Sequence, residues 1–490
     1  MMNLNQILEE YQIPIEEREY IESFYNFLKK YFYPYKDESD KILWSNGSVS
    51  LPSYLQEATK EFHSLGFFHL GQPLEFGGID VSIQTLYAMT SLMTKFHLAW
   101  SLFPALTRSS IRLLNTYGTK ELKKQYLPLM INGEASGTMC LTESSSGSDL
   151  SSLNTKAIPR DSFYEITGNK IFISGGENNL YSQICHFVLA KTPEGFQKEG
   201  TQGISLFLVP KFINNQSNHV YCSKIEHKMG LKYSPTCELI FGHQGITQGF
   251  LVGKEFEGLK QMFLMMNEAR LYCATQGEGQ ASLAYELAHT YASSRKQFGK
   301  PIIEFDDVRY HLNKSHSMIQ ALKKGLLFAF QENNKNIVDF ITPLLKAFAT
   351  EQGFIISSDC LQIFGGYGYI EEYPISKVLR DSRIAMIYEG TNGIQAHDFF
   401  SRKILKNSPQ NIDIFFSLFQ EISHPSIIEG LSISKTIIKH IEENPNNLSS
   451  SLDILRFFSY LYLAKFMEKD SFFMRYHFSE IYSLKLRILG

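Results

Sequence analysis

The 490-residue sequence has no excess of either charge: 47 Lys and Arg against 50 Asp and Glu leave a formal net charge of -3. So balanced a chain offers no electrostatic case for a nucleic-acid partner. Cysteine is sparse and scattered. The six residues, Cys140, Cys185, Cys222, Cys237, Cys273 and Cys360, contain no Cys-x-x-Cys pair, and no His cluster accompanies them. That argues against structural zinc and predicts reduced thiols in a cytosol. Long apolar runs are missing too, since no stretch approaches the roughly 18 apolar residues that a membrane span needs. The N-terminal stretch, MMNLNQILEEYQIPIEEREY, is acidic and lacks the basic start and apolar centre of a secretory signal. Together these absences predict a soluble, cytoplasmic protein without a metal.

What is present is bulk: 38 Phe and 26 Tyr predict a large-residue interior. The chain exceeds one core, and roughly two to four domains are expected. Residues 1–136 read as helices, with 84–118 dense in Leu, Met and Ala and poor in turn signals. From 137 to 250 the texture changes to short β-rich runs such as FYEITGNKIFISGG and GISLFLVPKFI, split by Gly, Asn and Pro. Helical spacing returns over 251–405, where Ala284, Leu287, Ala288 and Tyr291 share one face. A helix near 343–364 is stopped by Gly365-Gly366. Residues 406–490 open with the polar stretch KNSPQN and continue as an appended helical segment. The predicted fold class is α+β and multidomain: an N-terminal helical domain, a middle antiparallel β domain, a C-terminal helical bundle and a helical tail.

Four segments carry candidate chemistry. MCLTESSSGSDLSS (139–152) crowds Ser and Gly into a loop whose hydroxyls and bare N–H groups suit a phosphate or a polar ring edge, although a serine-rich surface turn has the same composition. In YASSRKQFGKPI (291–302), Arg295 ends an amphipathic helix and is followed by Gln297, Phe298 and a Gly-Lys-Pro turn. A guanidinium suits a phosphate pair and an aromatic suits an adenine, while basic residues also simply favour a helix C-terminus. QIFGGYGYIEEYPISKVLRDSRI (362–384) has three glycines in four residues, which let a backbone approach a ligand or merely turn. Finally, IAMIYEGTNGIQ (384–395) places one carboxylate, Glu389, behind five apolar or aromatic residues and directly before Gly390 and Thr391. It reads either as a helix start or as a buried base.

In order and spacing these segments resemble the acyl-CoA dehydrogenase family of flavoproteins. Cys140-Leu141-Thr142-Glu143 followed after two residues by Ser146-Gly147-Ser148-Asp149 is similar to that family's first signature. The run from Gln362 through Gly365, Gly366, Gly368, Tyr369, Glu372 and Lys377 to Asp381 is similar to its second. RKQFGKPI resembles the flavin-binding R-x-Q-F-G-x-P-I, and the interval from Gln362 to Glu389 matches the family spacing between glycine loop and catalytic glutamate. PLEFGG (73–78) and YLPLMINGEASGTM (126–139) resemble its N-terminal helical domain, so the likeness covers roughly residues 50–405.

The resemblance implies FAD, a homodimer or homotetramer, an acyl-CoA substrate and an electron-transferring flavoprotein as electron acceptor. It implies dehydrogenation between the α and β carbons of a thioester in fatty-acid β-oxidation. Glu389 would take the α proton while the β hydrogen leaves as hydride to the flavin, with Arg270 near the catalytic centre. The thioester carbonyl would be polarised by the Glu389 N–H and a flavin hydroxyl. Apolar residues before Glu389 should raise its pKa, and a helix starting near Thr391 should lower it, with desolvation expected to win. Thr142 and Ser148 would contact flavin or substrate. Phe172, Ile173 and Ser174 fall where the family has Trp-Ile-Thr against the flavin. Arg295 and Gln297 would hold the FAD pyrophosphate, Gln362, Gly365 and Gly366 the flavin across a subunit interface, and Thr391 the phosphate region. Some members carry the base just before the arginine; here that position is Ala269, with Glu268 one step earlier as a rival. The stretch ESSSGSD lacks the usual Pro-Gly-Ala, which predicts a more mobile loop. Three other readings stay open: a dehydrogenase of carrier-protein-bound acyl groups, a flavin-binding relative without dehydrogenase activity, and a flavin monooxygenase or oxidase on this fold; Glu389 speaks against the last two.

Overall fold

The computed structural model of the chain describes residues 4–33, 42–406 and 408–489. Residues 1–3 of the acidic N-terminal stretch and Asn407 of the polar stretch that opens the tail lie outside the described residues. Helices come first, interrupted by the short hairpin of Leu43–Ser45 and Ser48–Ser50, then strands from Ala135–Cys140 to Thr247–Leu251, then mainly helices again, the predicted order. Contacts divide the chain into two compact units. One comprises Ile15–Ser82 and Phe96–Ala269, the other Met1–Pro14, Ile83–Lys95 and Arg270–Gly490. The long helix Ile83–Tyr117 breaks at His97, whose φ of -156° and ψ of 82° are not helical, close to where the units divide.

The first unit is organised around an eight-stranded sheet. Its order runs Val220–Ile225, Thr236–Phe241, Tyr164–Ser174, Thr247–Leu251, Ile204–Pro210, Gln183–Lys191 and Ala135–Cys140, with Lys156–Pro159 pairing off this path. ISLFLVP is buried at every position and QICHFVLAK at all but the first, as near-continuous apolar runs in central strands should be. Their register pairs Phe187 with Leu208 and Val188 with Phe207. Pairing is antiparallel except where Gln183–Lys191 meets Ala135–Cys140 and, at one residue pair, Lys156–Pro159. The helices of this unit share an aromatic core in which Phe27, Phe62 and Trp100 touch, and the Trp100 Nε1–H donates to Thr59 Oγ1 at 2.9 Å.

The second unit is a helical bundle built on Asp306–Gln331 and Lys335–Phe364. The latter starts at an Asn334 cap and runs straight through Pro343, so the helix expected near 343–364 begins a full two turns earlier. It ends at Gly365, whose φ of 59° continues no helix. The tail helices Pro425–Glu443, Ser451–Met467 and Glu480–Leu489 belong to this unit. Ser451–Met467 lies against both bundle helices. A Cβ on Gly325 would stand 2.7 Å from Leu463 and 3.1 Å from Tyr462, so glycine permits this close approach. Arg456 pairs with Glu351 of the bundle and Asp453 of its own helix, and Arg487 reaches Asp453 at 3.0 Å.

Candidate active site

Glu389 stands on an unusual piece of backbone. Its φ is 55° and that of Gly390 is 85°, two consecutive left-handed residues of which only the second is a glycine. A left-handed glutamate costs about 1–2 kcal/mol, so its surroundings must hold it there. The turn is closed behind by Ile387 and Tyr388, whose N–H groups both donate to the Ile384 carbonyl at 2.8 and 3.2 Å. It is closed ahead by Thr391, whose Oγ1 accepts from the Ile394 N–H at 3.2 Å and caps the helix Asn392–Asp398. Among the described residues no protein acceptor takes the Glu389 N–H.

The electrostatics favour a base. Burial pushes the Glu389 carboxyl up from 4.5 to about 7, against the pull of Arg270 and Lys346. A carboxyl titrating near neutrality is both available as an anion and basic enough to accept a proton. Arg270 is buried, which lowers its guanidinium below the ordinary value while Asp398 and Glu389 oppose. Lys346 is fully buried; burial presses its ammonium down to about 8, with Cys273 and Glu389 raising it. The Tyr388 hydroxyl donates to Gln276 Oε1, which fixes the ring beside the glutamate.

A second group of expected residues meets elsewhere in the same unit. Arg295, Gln297, Gln362, Gly365 and Gly366 line a cavity of about 500 Å³, a size suited to a cofactor portion. Tyr291 stacks on Phe364 at 4.3 Å to form one wall, and the Arg295 guanidinium lies 5.5 Å from the Tyr367 ring. A Cβ built on Gly365 or Gly366 would meet nothing within 4 Å. The glycines are therefore not demanded by packing within the chain, and they leave bare backbone facing open space. Past Arg295 the hairpin of Lys296–Gln297 and Lys300–Pro301 carries Phe298 at its tip, 94 % exposed with φ 51°.

The remaining expected residues lie in the sheet unit. Phe172 occupies a bulge of Tyr164–Ser174, where three steps along this strand answer two along Thr236–Phe241. Its φ is 59° and its ring is 59 % exposed, as when a bulge re-aims a side chain. The Ile171 N–H donates to the Thr142 carbonyl at 2.9 Å, so Thr142 and Phe172 are neighbours. Ser174 is half-buried and Ser148 exposed. Ile173 is core, 2 % exposed, and leaves only its backbone for a ligand.

The loop 139–152 is anchored at Glu143 and Ser146. Glu143 accepts from the N–H groups of Asn154 and Thr155 at 2.7 and 3.0 Å and from the Thr155 hydroxyl at 2.6 Å. It also pairs at 2.8 Å with the fully buried Lys170, which donates to the Leu141 carbonyl as well. Ser146 Oγ closes the loop onto the Asp149 carbonyl at 2.7 Å. Glu268, the rival base, is occupied by an ion pair with Arg112. Sequence reasoning missed Lys346, Asn392 and Gln395, which hold the Glu389 turn. The available signal was a lysine inside the apolar run ITPLLKAFAT (341–350). Among the described residues no cluster of His, Cys, Asp and Glu could hold a metal ion, and no helix is long and apolar enough to cross a membrane.

Comparison with known proteins agrees along most of the chain. Family models match residues 14–134 as the acyl-CoA dehydrogenase N-terminal domain, 138–243 as the middle domain and 257–402 as the C-terminal domain. A 3-methylmercaptopropionyl-CoA dehydrogenase of Ruegeria pomeroyi is 34 % identical over 439 residues, 84 % of this chain and 74 % of its own length. A butyryl-CoA dehydrogenase of Syntrophomonas wolfei is 37 % identical over 338 residues, 62 % of this chain, which spans only 55 % of that relative. The structure of an acyl-CoA dehydrogenase complexed with FAD from Bacillus anthracis shares the fold, with a TM-score of 0.74 over 99 % of this chain and 87 % of its own at 20 % identity.

Proposed function

The chain belongs to the acyl-CoA dehydrogenase family, and from that premise we propose that it dehydrogenates an acyl-CoA thioester between its α and β carbons. The observation that carries the reading is the Glu389 turn, a carboxyl raised to about 7 and held on two left-handed residues. Glu389 takes the α proton as general base. The Glu389 N–H, which no protein acceptor among the described residues claims, donates to the thioester carbonyl, where negative charge gathers as the proton leaves. Arg270 and Lys346 keep enough positive potential near the carboxyl for its anion to exist at neutral pH.

FAD is the cofactor, and the cavity at Gly365 and Gly366 fits it: bare backbone faces open space, and Arg295 offers a guanidinium for phosphate. Arg295 and Gln297 hold the pyrophosphate, and Gln362, Gly365 and Gly366 the flavin. Thr142, Ser148, Phe172, the Ile173 backbone and Ser174 serve the ring and the substrate, and Thr391 the phosphate region. When bound, FAD supplies the acceptor for the β hydride. An electron-transferring flavoprotein takes the electrons onward, in a homodimer or homotetramer that serves fatty-acid β-oxidation in the cytoplasm, with residues 406–490 as an appended segment.

The test is an anaerobic titration of the purified flavoprotein with acyl-CoAs of four to sixteen carbons, with Glu389→Gln alongside. Bleaching of the flavin by one chain-length class, lost in the variant, is expected. A bound flavin that no acyl-CoA reduces would overturn the CoA substrate and point to a carrier-bound acyl group.

A further inference from the structure

The strained backbone at Glu389 needs an external clamp, and the helix Lys335–Phe364 supplies it. The Lys346 ammonium donates to the Gly390 carbonyl at 2.6 Å and to Asn392 Oδ1 at 3.2 Å. Asn392 is itself tied to the same helix: its Nδ2 donates to the Ala347 carbonyl at 3.0 Å, and its Oδ1 accepts from the Thr350 hydroxyl at 3.3 Å. From the other side Gln395 Nε2 donates to the Glu389 carbonyl at 3.2 Å and the Gly390 carbonyl at 3.4 Å. Both peptide carbonyls that follow the Glu389 Cα are thus held, and the direction of its side chain and of its N–H is fixed with them.

Lys346 is an unexpected residue for this position. It is fully buried, lying within the unbroken buried stretch Phe340–Thr350 of its helix. A fold that needed only packing there would be better served by an apolar side chain of the same length, because an ammonium taken out of water must recover its hydration from fixed partners. Its partners here are not another structural element's carboxylate but the carbonyl and amide of the Glu389 turn. The charged and titratable groups that face it are Glu389 from the turn, and Arg270 and Cys273 from the helix Gly258–Ser294.

We propose that Lys346 is a positioning residue for the dehydrogenation: its ammonium holds the Gly390 carbonyl and so keeps the left-handed turn that aims the Glu389 carboxylate at the α carbon and the Glu389 N–H at the thioester carbonyl. The proposal rests on the reading of Glu389 as the base. Among the described residues the Lys346 ammonium donates only to the Gly390 carbonyl and Asn392 Oδ1, so it acts through the turn. Its loss therefore lets the turn relax, which lowers the rate of proton removal while leaving the affinity for the acyl-CoA in place.

The experiment uses the FAD-loaded enzyme and the straight-chain acyl-CoA of four to sixteen carbons that the wild type turns over fastest. Lys346→Met keeps the length and removes the donor. It is expected to lower kcat by about thirtyfold or more with KM changed less than about threefold, and to speed amide exchange in the 386–396 segment in both the apo and loaded protein. If Lys346→Met does not load FAD, Asn392→Ala carries the test, because it keeps the ammonium and removes one of its two acceptors and the tether to Ala347. For that variant kcat is expected to fall about fivefold or more with KM retained. A loaded Lys346→Met or Asn392→Ala with kcat within twofold of wild type, or a rise in KM at constant kcat, refutes the proposal. Glu389→Gln separates the two readings. If it is inactive while Lys346→Met is not, the base stands and the positioning role falls. If it turns over normally, the base reading fails and takes this proposal with it.

Discussion

Glu389→Gln should make the folded protein more stable at pH 8 while abolishing turnover. Burial raises the carboxyl from 4.5 to about 7, so the folded chain holds that proton more tightly than the unfolded one. Below pH 4.5 both states are protonated and nothing is lost. Between 4.5 and 7 the unfolded carboxyl ionises while the folded one does not, and stability falls as pH rises. Above about 7 both are ionised and the full penalty remains. At about 1.4 kcal/mol per pH unit, the displacement amounts to about 3 kcal/mol at pH 8 and to less than about 1 kcal/mol at pH 5. A glutamine fills the same volume without charge and escapes the penalty. For a chain of 490 residues this corresponds to about 3 °C in midpoint temperature. The assay is thermal unfolding of wild type and variant at saturating FAD from pH 5 to 8. The quantity read is the difference between the two at each pH. An offset that opens as pH rises, together with a loss of kcat of at least about a hundredfold, is the expected result. A variant melting at or below the wild type at pH 8, or an offset that does not change with pH, refutes the argument that desolvation dominates at Glu389.

Three further outcomes follow from the same geometry. Turnover should fall about tenfold per pH unit below about 7, because only the ionised Glu389 accepts the α proton; a kcat profile from pH 5 to 8 that is flat across 7 would show that another group limits the rate. Arg295→Ala should weaken FAD binding by about ten- to a hundredfold, the worth of a charge-assisted bond to phosphate, measured by equilibrium dialysis of flavin, with secondary structure unchanged because the side chain is exposed. Lys170→Met strands the Glu143 carboxylate in a buried site and should destabilise the fold by about 3 kcal/mol or more, seen in urea unfolding; a Glu143→Gln, Lys170→Met double variant should recover part of that loss.

Local punctuation made the frame legible and partners distant in sequence hid the rest. Gly365 was readable as a helix stop and Thr391 as a helix start, because both act through their own backbone or their own hydroxyl. The order of helices, strands and helices was readable from periodicity. The start of Lys335–Phe364 was not: Pro343 resembles a first-turn proline, yet it sits inside the helix, where the apolar run on both sides packs well enough to outweigh the missing N–H. The loop 139–152 looked mobile because its composition lacks rigid residues. Its anchor is Lys170, 27 residues beyond Glu143, and no local pattern announces that pair. The bulge that turns Phe172 outward depends on the register with Thr236–Phe241, which a single strand's pattern does not contain. Lys346 was hidden in the same way, 44 residues before the carbonyl it holds.

The chemistry of the base depends on what Lys346 does not do. Three influences bear on the Glu389 carboxyl: burial raises its pKa, while Arg270 and Lys346 lower it. The helix beyond the turn begins at Asn392, and Thr391 caps its first turn. A lysine this close could have donated straight to the carboxylate. Such a pair would drive the glutamate well below its ordinary value, and an anion so stabilised is a poor acceptor for an α proton. Instead the ammonium is spent on the Gly390 carbonyl and the Asn392 amide, and among the described residues it makes no ion pair with Glu389. The same charge therefore reaches the carboxyl only through space, weakly enough for burial to win. The turn is held by the cation's hydrogen bonds, and the base keeps its strength because those bonds go to neutral acceptors.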